Sequence, residues 1–96
     1  MVKVQDIADY FIWLANYTGS FISNLKLQKL VYYAQAWYLA IHDQPLFDED
    51  FEAWIHGPVI PELYKEYCGF KWKPILKEVE EPKFTEEVKQ FLDEVA

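Results

Sequence analysis

The segment from Ser23 to His42 constrains the fold of this chain more than any other part of the sequence. Apolar side chains recur along it at the spacing of an amphipathic helix, and aromatic residues occupy much of the remaining surface. A helix that is apolar on nearly every side normally lies buried at the centre of a domain. We therefore predict a central helix with Ser23 as its N-cap and with Leu30 and Ala34 fully buried. Its apolar stripe comprises Leu27, Leu30, Val31, Ala34, Tyr38 and Ile41.

Three further helices are predicted around this segment. The first begins near Val4 and ends at Gly19, because glycine commonly terminates helices. Another begins at Pro61, a residue type that suits the first turn of a helix, and should stop at Gly69. Thr85 can cap a last helix, whose first turn carries two glutamates that the helix dipole favours there.

A short β element is predicted between the second and third helices. Apolar and polar side chains alternate from Phe51 to Ile55, which indicates a strand, and Gly57-Pro58 should then turn the chain into the next helix. A chain of 96 residues is long enough for one domain and too short for two. The sequence therefore predicts a mainly α (α+β) fold, a compact bundle of about four helices with a small β element in a single domain.

The last predicted helix carries an apolar stripe that continues to the final residues of the sequence. Four large apolar side chains in one stripe are rarely left exposed on a monomer. We therefore expect this helix either to pack on the body of the domain or to mediate formation of a homo-oligomer. The stripe comprises Val88, Phe91, Leu92 and Val95.

The charge of the chain excludes some classes of partner. Sixteen acidic residues stand against nine lysines and no arginine, for a formal net charge of −7. Proteins that bind DNA or RNA depend on lysine and arginine at phosphates and on arginine at guanine, so we expect no nucleic-acid partner. The acidic surface would suit a basic partner, and it also serves solubility. Since no apolar stretch can span a bilayer and Cys68 is the only cysteine, we expect a cytoplasmic protein without a membrane partner.

The residues that catalysis or metal binding would need are few. Two histidines and one cysteine match no metal-ligand spacing, and none of the three glycines belongs to a phosphate-binding loop. Cys68 and His56 could act as nucleophile and base only if the fold brought them together, and no local motif indicates that it does. The sequence therefore predicts a protein that is not an enzyme and that holds no metal and no cofactor.

Two blocks of sequence resemble a known family. The first is NLKLQKLVYYAQ at residues 24–35, continued by WYLA at residues 37–40, and the second, at residues 45–64, ends in AWIHGPVIPELY. Both resemble hallmarks of the Panacea domain, the antitoxin SocA-like family that also includes phage-associated GepA-like proteins. The similarity covers nearly the whole chain. It implies a Panacea domain at residues 1–96 that lacks the C-terminal section usual in the family.

The resemblance implies an antitoxin of a bacterial or phage toxin–antitoxin system, which neutralises a cognate toxin by binding it directly. Some members of the family are described as adaptors that deliver a toxin to a protease, so a protease is a second partner that the resemblance allows. Two alternatives from other classes stay open. A helix-turn-helix transcriptional regulator would also be small and helical, but the lack of arginine argues against it. A small enzyme would need a deep pocket in which His56 and a carboxylate converge.

A surface for the partner is expected where the two blocks meet. Lysine and aromatic residues of the first block recur at spacings of three and four, so they are neighbours on one helix face with apolar area and a charged rim. The second block adds two aromatic residues and a histidine around the predicted turn. The alternative is that the aromatic residues only build the core, which their burial decides. The candidate partner-binding residues are Lys26, Lys29, Tyr33, Trp37, Trp54, His56 and Tyr64.

Overall fold

Four α-helices and one short antiparallel hairpin form the structure, a computed structural model that describes residues 1–96. A 3-10 turn continues the third helix. This architecture confirms the predicted mainly α fold with a small β element. The elements in chain order are α1 (Val4–Thr18), α2 (Asn24–His42), β1 (Glu52–Trp54), β2 (Gly57–Val59), α3 (Pro61–Tyr67), the 3-10 turn (Cys68–Phe70) and α4 (Glu86–Val95).

The helix ends follow from the residues predicted to cap them. Ser23 Oγ accepts a hydrogen bond from the backbone N–H of Lys26 at 3.3 Å, and Thr85 Oγ1 accepts one from Val88 at 3.3 Å. Gly19 ends α1 with a φ of +75°, in the left-handed region that glycine enters without a steric penalty. Local sequence therefore determines one end of three of the four helices.

The core lies between α1, one side of α2 and the elements that follow them in the chain. Leu27, Val31 and Ala34 of α2 are fully buried in it. Leu30 is only partly buried, so the prediction that it is fully buried is wrong. The physical reason is its position at the edge of the buried side of α2, where it borders a groove between α1 and α4.

The second helix is central in its contacts, as predicted, but it is not enclosed on all sides. α1, α3, α4 and β2 all contact its inner side. Its opposite side carries exposed aromatic residues, among them Tyr33 and Trp37. The short elements of this chain suffice to cover one side of a 19-residue helix and leave the other side uncovered. None of the helices, α2 included, is both long enough and apolar enough to cross a membrane.

The β element is a hairpin and not the single strand that the alternation predicts. β1 pairs with β2 in antiparallel register with Trp54 opposite Gly57, and Ile55 and His56 form the connecting turn. The turn predicted at Gly57-Pro58 is therefore wrong, since these residues belong to the second strand. The alternation does not report burial here because β1 is exposed on both sides, and Ile55 at the tip is 97% exposed.

The apolar stripe of α4 packs on the body of the protein, which is the first of the two predicted alternatives. Leu92 is fully buried, and the ring of Phe91 meets that of Tyr38 edge-on with centroids 5.4 Å apart. The other two residues of the stripe also pack against the core. At the end of α4, the Asp93 carboxylate accepts a hydrogen bond from the phenol of Tyr10. This contact ties α4 to α1.

The two buried tyrosines predict a loss of stability at alkaline pH. Burial raises the pKa of both Tyr10 and Tyr67 well above the ordinary value, and the neighbouring Asp93 raises the pKa of Tyr10 further. The stabilisation is therefore present below about pH 10 and is lost as the pH rises above it, because there the unfolded chain ionises more readily than the folded protein. In urea unfolding, we expect the free energy of unfolding to fall above this pH and to fall less in Tyr10→Phe. An identical pH dependence for both proteins would contradict the expectation.

Candidate partner-binding surface

The side of α2 that points away from the core is exposed and largely apolar. Tyr33 and Trp37 are 49% and 53% exposed. On this side the small Ala36 and Ala40 lie four residues apart among larger side chains. We define the outer face of α2 as Leu25, Lys26, Lys29, Tyr32, Tyr33, Ala36, Trp37, Leu39 and Ala40.

A cleft opens between α2 and the β hairpin, beside the N-terminal end of the outer face. In it the rings of Trp54 and Tyr64 meet edge-on, with centroids 5.0 Å apart. Trp54 is 41% exposed and Tyr64 is partly buried. Because Leu25 belongs both to the cleft and to the outer face, the two form one continuous surface. The hairpin cleft has a volume of about 460 Å³ and is lined by Leu25, Ala53, Trp54, Ile55, His56, Val59 and Tyr64.

Two buried amide side chains of α2 hold the hairpin cleft in place. Gln28 Oε1 accepts a hydrogen bond from the backbone N–H of Ile60 at 3.1 Å, and Gln28 Nε2 donates to Asn24 Oδ1 at 3.1 Å. Asn24 Nδ2 in turn donates to the backbone carbonyl of Tyr64 at 3.0 Å. These bonds join α2 to Ile60, which connects β2 with α3, and to Tyr64 in the middle of α3. The bond to Gln28 satisfies the buried backbone N–H of Ile60, which would otherwise lack a partner.

A third amide of the same helix holds the loop that follows it. Gln35 Oε1 accepts from the backbone N–H of Leu46 at 2.7 Å, and Gln35 Nε2 donates to the carbonyl of Phe47 at 2.8 Å. Leu46 and Phe47 are thereby held in the core. The sequence analysis did not identify the roles of Asn24, Gln28 and Gln35. Their signal was present, because polar residues at positions 24, 28 and 35 interrupt the buried side of an otherwise apolar helix.

All seven predicted partner-binding residues lie on this continuous surface. Trp37 and Trp54 are exposed and Trp54 touches Tyr64, so these aromatic residues do more than fill the core. Lys26 lies at the edge of the outer face, where it borders a second groove of about 330 Å³ between α1 and α4. The surface therefore stays a candidate. On the outer face lie Lys26, Lys29, Tyr33 and Trp37, and in the hairpin cleft lie Trp54, His56 and Tyr64.

Charge is distributed unevenly around this surface. α2 contains no acidic residue, and neither of its lysines, Lys26 and Lys29, has a carboxylate within 4.0 Å. A separate cleft of about 600 Å³, between the start of α1, β1 and α3, is strongly acidic. The outer face of α2 is thus a region without negative charge on an acidic protein. The carboxylates that line the acidic cleft are Glu49, Asp50, Glu52, Glu62 and Glu66.

The side chains capable of chemistry are dispersed. No three histidine, cysteine or carboxylate side chains are grouped so that they could hold a metal ion. His56 lies in the hairpin cleft, whose lining contains no carboxylate. The exposed thiol of Cys68 donates a hydrogen bond to the carbonyl of Lys65 at 3.2 Å. The arrangement can therefore bind through apolar contact, and it does not bring His56 and a carboxylate together in the cleft.

Comparison with known proteins points to one family. The model of the antitoxin SocA-like family, Panacea domain, matches residues 27–96, which is more than half of the chain. Antitoxin SocA of Caulobacter vibrioides (strain NA1000 / CB15N) is 50% identical over 44 residues, which are 46% of this chain and 23% of that protein. The aligned part thus spans about a quarter of the length of this curated relative. No solved structure gives a significant match. The family match confirms the resemblance of the two sequence blocks.

Proposed function

This chain belongs to the antitoxin SocA-like family of Panacea domains, and we propose that it binds a cognate toxin directly and thereby neutralises it. The family suggests an antitoxin role in a toxin–antitoxin system, and such a role is regulatory and not enzymatic. The observation that carries the proposal of direct contact is the continuous surface formed by the outer face of α2 and the hairpin cleft.

The composition of that surface supports protein binding. Tryptophan and tyrosine are over-represented among the residues that dominate binding energy at protein interfaces, and here they share one helix face with two lysines at its N-terminal end. Monomeric proteins rarely expose a contiguous apolar patch of more than a few hundred square ångströms without a function for it. The backbone of a helix that is packed on one side is already ordered, which lowers the entropy lost on binding.

The two sequence blocks that define the family contribute to this surface in the same way. In the first block, Asn24 and Gln28 point inward and hold the hairpin, while Tyr33 and Trp37 point outward. In the second block, Ile60 is fully buried, while Trp54 is exposed. Each block therefore contains some residues that hold the fold together and others whose side chains are exposed. A surface carried by both blocks supports the proposal that partner binding uses them together.

A protease or a second copy of the chain, the other proposed partners, would each need a binding surface of its own. A protease adaptor would hold the toxin in the same way and would need a second surface for the protease. A homo-oligomer formed through α4 would require its apolar stripe to leave the core, where Leu92 is now fully buried. We propose that a single copy of the chain contacts the toxin. Rescue in cells that lack the candidate protease separates neutralisation by contact from delivery for degradation.

The proposal predicts that truncation of the exposed aromatic residues abolishes protection from the toxin. In a co-expression assay, we expect Tyr33→Ala and Trp37→Ala to lose rescue of growth, and His56→Ala to weaken it. Loss of one dominant aromatic contact costs about 2 kcal/mol or more, which is roughly a thirtyfold weaker complex. These side chains are exposed, so the variants should melt close to the parent protein, which circular dichroism checks.

The matched control is Trp72→Ala, since Trp72 is 78% exposed and lies outside both the outer face and the hairpin cleft. It should rescue as well as the parent protein. Full rescue by all three folded variants of the surface would disprove neutralisation through this surface. Equal loss of rescue in the Trp72 variant would show that the effect is not specific to it.

A further inference from the structure

The charge and the length of the outer face of α2 limit which kind of protein segment could bind there. We propose that the occupant is an amphipathic helix of the partner protein that has acidic side chains at one end, next to an apolar side chain that enters the hairpin cleft. This inference rests on the proposed function only in taking the helix to be part of the toxin. The acidic character of the helix follows from the charge of the surface alone.

The positive charge at one end of the outer face favours an occupant with negative charge there. All sixteen carboxylate side chains of the protein lie outside α2, and Lys26 and Lys29 have no ion-pair partner. Both lysines lie near the N-terminal end of the helix, as does Leu25, which lines the hairpin cleft. Toward the C-terminal end, the outer face has no charged residue. An occupant that matches this face is therefore acidic at one end and apolar along the rest.

The shape of the face favours a helix as the occupant. From Leu25 to Ala40 the outer face is about 22 Å long at the helical rise per residue, which corresponds to about four turns of a partner helix. The small Ala36 lies between the larger Tyr32 and Tyr33 and Ala40 on this face, and such an alternation of side-chain sizes suits packing against a second helix. An amphipathic helix in an apolar groove is a common mode of peptide recognition.

A second copy of this chain matches the face less well. A two-fold symmetric contact would place the same patch on both partners. Neither α2 would then offer a carboxylate to Lys26 or Lys29, since α2 contains none. Each copy also carries a formal net charge of −7, so two copies repel each other at low salt. A partner helix with carboxylates at one end would supply ion-pair partners for Lys26 and Lys29.

The test uses the full chain and two fluorescently labelled synthetic helices. The helices share one apolar stripe, and they differ in having either four glutamates or four lysines, about one turn of helix, at the end that would face Lys26 and Lys29. Binding is measured by fluorescence anisotropy at low salt. We expect the acidic helix to bind about tenfold more tightly than the basic one, because attractive contacts in one complex become like-charge contacts in the other.

Charge-reversed variants test whether Lys26 and Lys29 cause the preference for the acidic helix. In the double variant Lys26→Glu, Lys29→Glu, we expect the order of affinities to invert. The matched control is the double variant Lys3→Glu, Lys83→Glu, which makes the same change in charge at exposed lysines outside the surface and should keep the preference for the acidic helix. Trp37→Ala should weaken binding of both helices.

The outcomes that overturn the inference are specific. Equal affinity for the two helices, failure of both to bind, or a preference that persists in the Lys26→Glu, Lys29→Glu variant would each do so. A dimer in sedimentation equilibrium that Trp37→Ala dissociates would identify a second copy as the occupant and would also overturn it. Because no toxin is present in these experiments, discrimination between the helices together with full rescue by the surface variants would overturn the proposed function and leave the surface chemistry standing.

Discussion

Leu27→Ala is expected to lower the free energy of unfolding by about 2–5 kcal/mol, because it removes a fully buried side chain and leaves a cavity. Leu27 lies on the inner side of α2, in the cluster that joins this helix to α1. A domain of this size has a stability on the order of 5–15 kcal/mol, so the loss would be a large share of the total. Urea unfolding followed by circular dichroism measures it.

The matched control for Leu27→Ala is Leu30→Ala, which makes the same chemical change in the same helix. Leu30 is partly exposed and borders the groove between α1 and α4. Less apolar area then leaves the core and solvent can fill the space, so we expect a clearly smaller loss of stability. Equal losses for the two variants would mean that Leu30 is as deeply packed as Leu27, in conflict with the structure.

Gln28→Leu is expected to be comparably damaging, although it replaces a polar core residue by an apolar one of similar size. The change leaves the Ile60 N–H without its acceptor and Asn24 Oδ1 without its donor. Each buried group left unpaired costs about 1–3 kcal/mol. We expect the free energy of unfolding to fall accordingly and the amide of Ile60 to exchange with solvent much faster, which hydrogen exchange detected by NMR measures.

Gln90→Leu provides the control for this exchange of glutamine for leucine. Gln90 is exposed on α4, so the variant should keep the stability of the parent and the protection of Ile60. Gln28→Leu should also impair rescue from the toxin under conditions in which the protein is still folded, because the hydrogen bonds it removes hold the hairpin cleft. Unchanged exchange at Ile60 in Gln28→Leu would show that the amide does not hold the hairpin.

The helices could be predicted from the sequence because their determinants are local. The capping hydroxyls of Ser23 and Thr85 bond to backbone groups only three residues away. The left-handed conformation at Gly19 likewise follows from the residue type. The hairpin was harder to place, because its pattern of exposure depends on which elements happen to lie beside it. All three residues of β1 stay exposed although the strand pairs with β2 and Trp54 touches Tyr64, so the alternation from Phe51 to Ile55 carries no information about burial.

The residues of the candidate site could be predicted from the sequence, but their three-dimensional arrangement could not. The aromatic residues and lysines of the two blocks stand out by composition, and their spacing places Tyr33 and Trp37 on one helix face. Nothing local indicates that Lys26, at the edge of the outer face, also borders a separate groove between α1 and α4. Nor does the sequence reveal that Gln28 bonds to the backbone of Ile60, since the two residues are 32 positions apart.

By itself, the sequence determined the positions of the helices, the charge of the protein and its family, because periodicity, capping and motif residues are properties of neighbouring positions. Only the tertiary structure decided which side of α2 is covered. Leu27 and Trp37 are both large and apolar and belong to the same helix, yet one is fully buried and the other is 53% exposed. Burial depends on elements distant in the chain that pack against a residue. In this protein they cover the inner side of α2 and leave the aromatic outer face exposed.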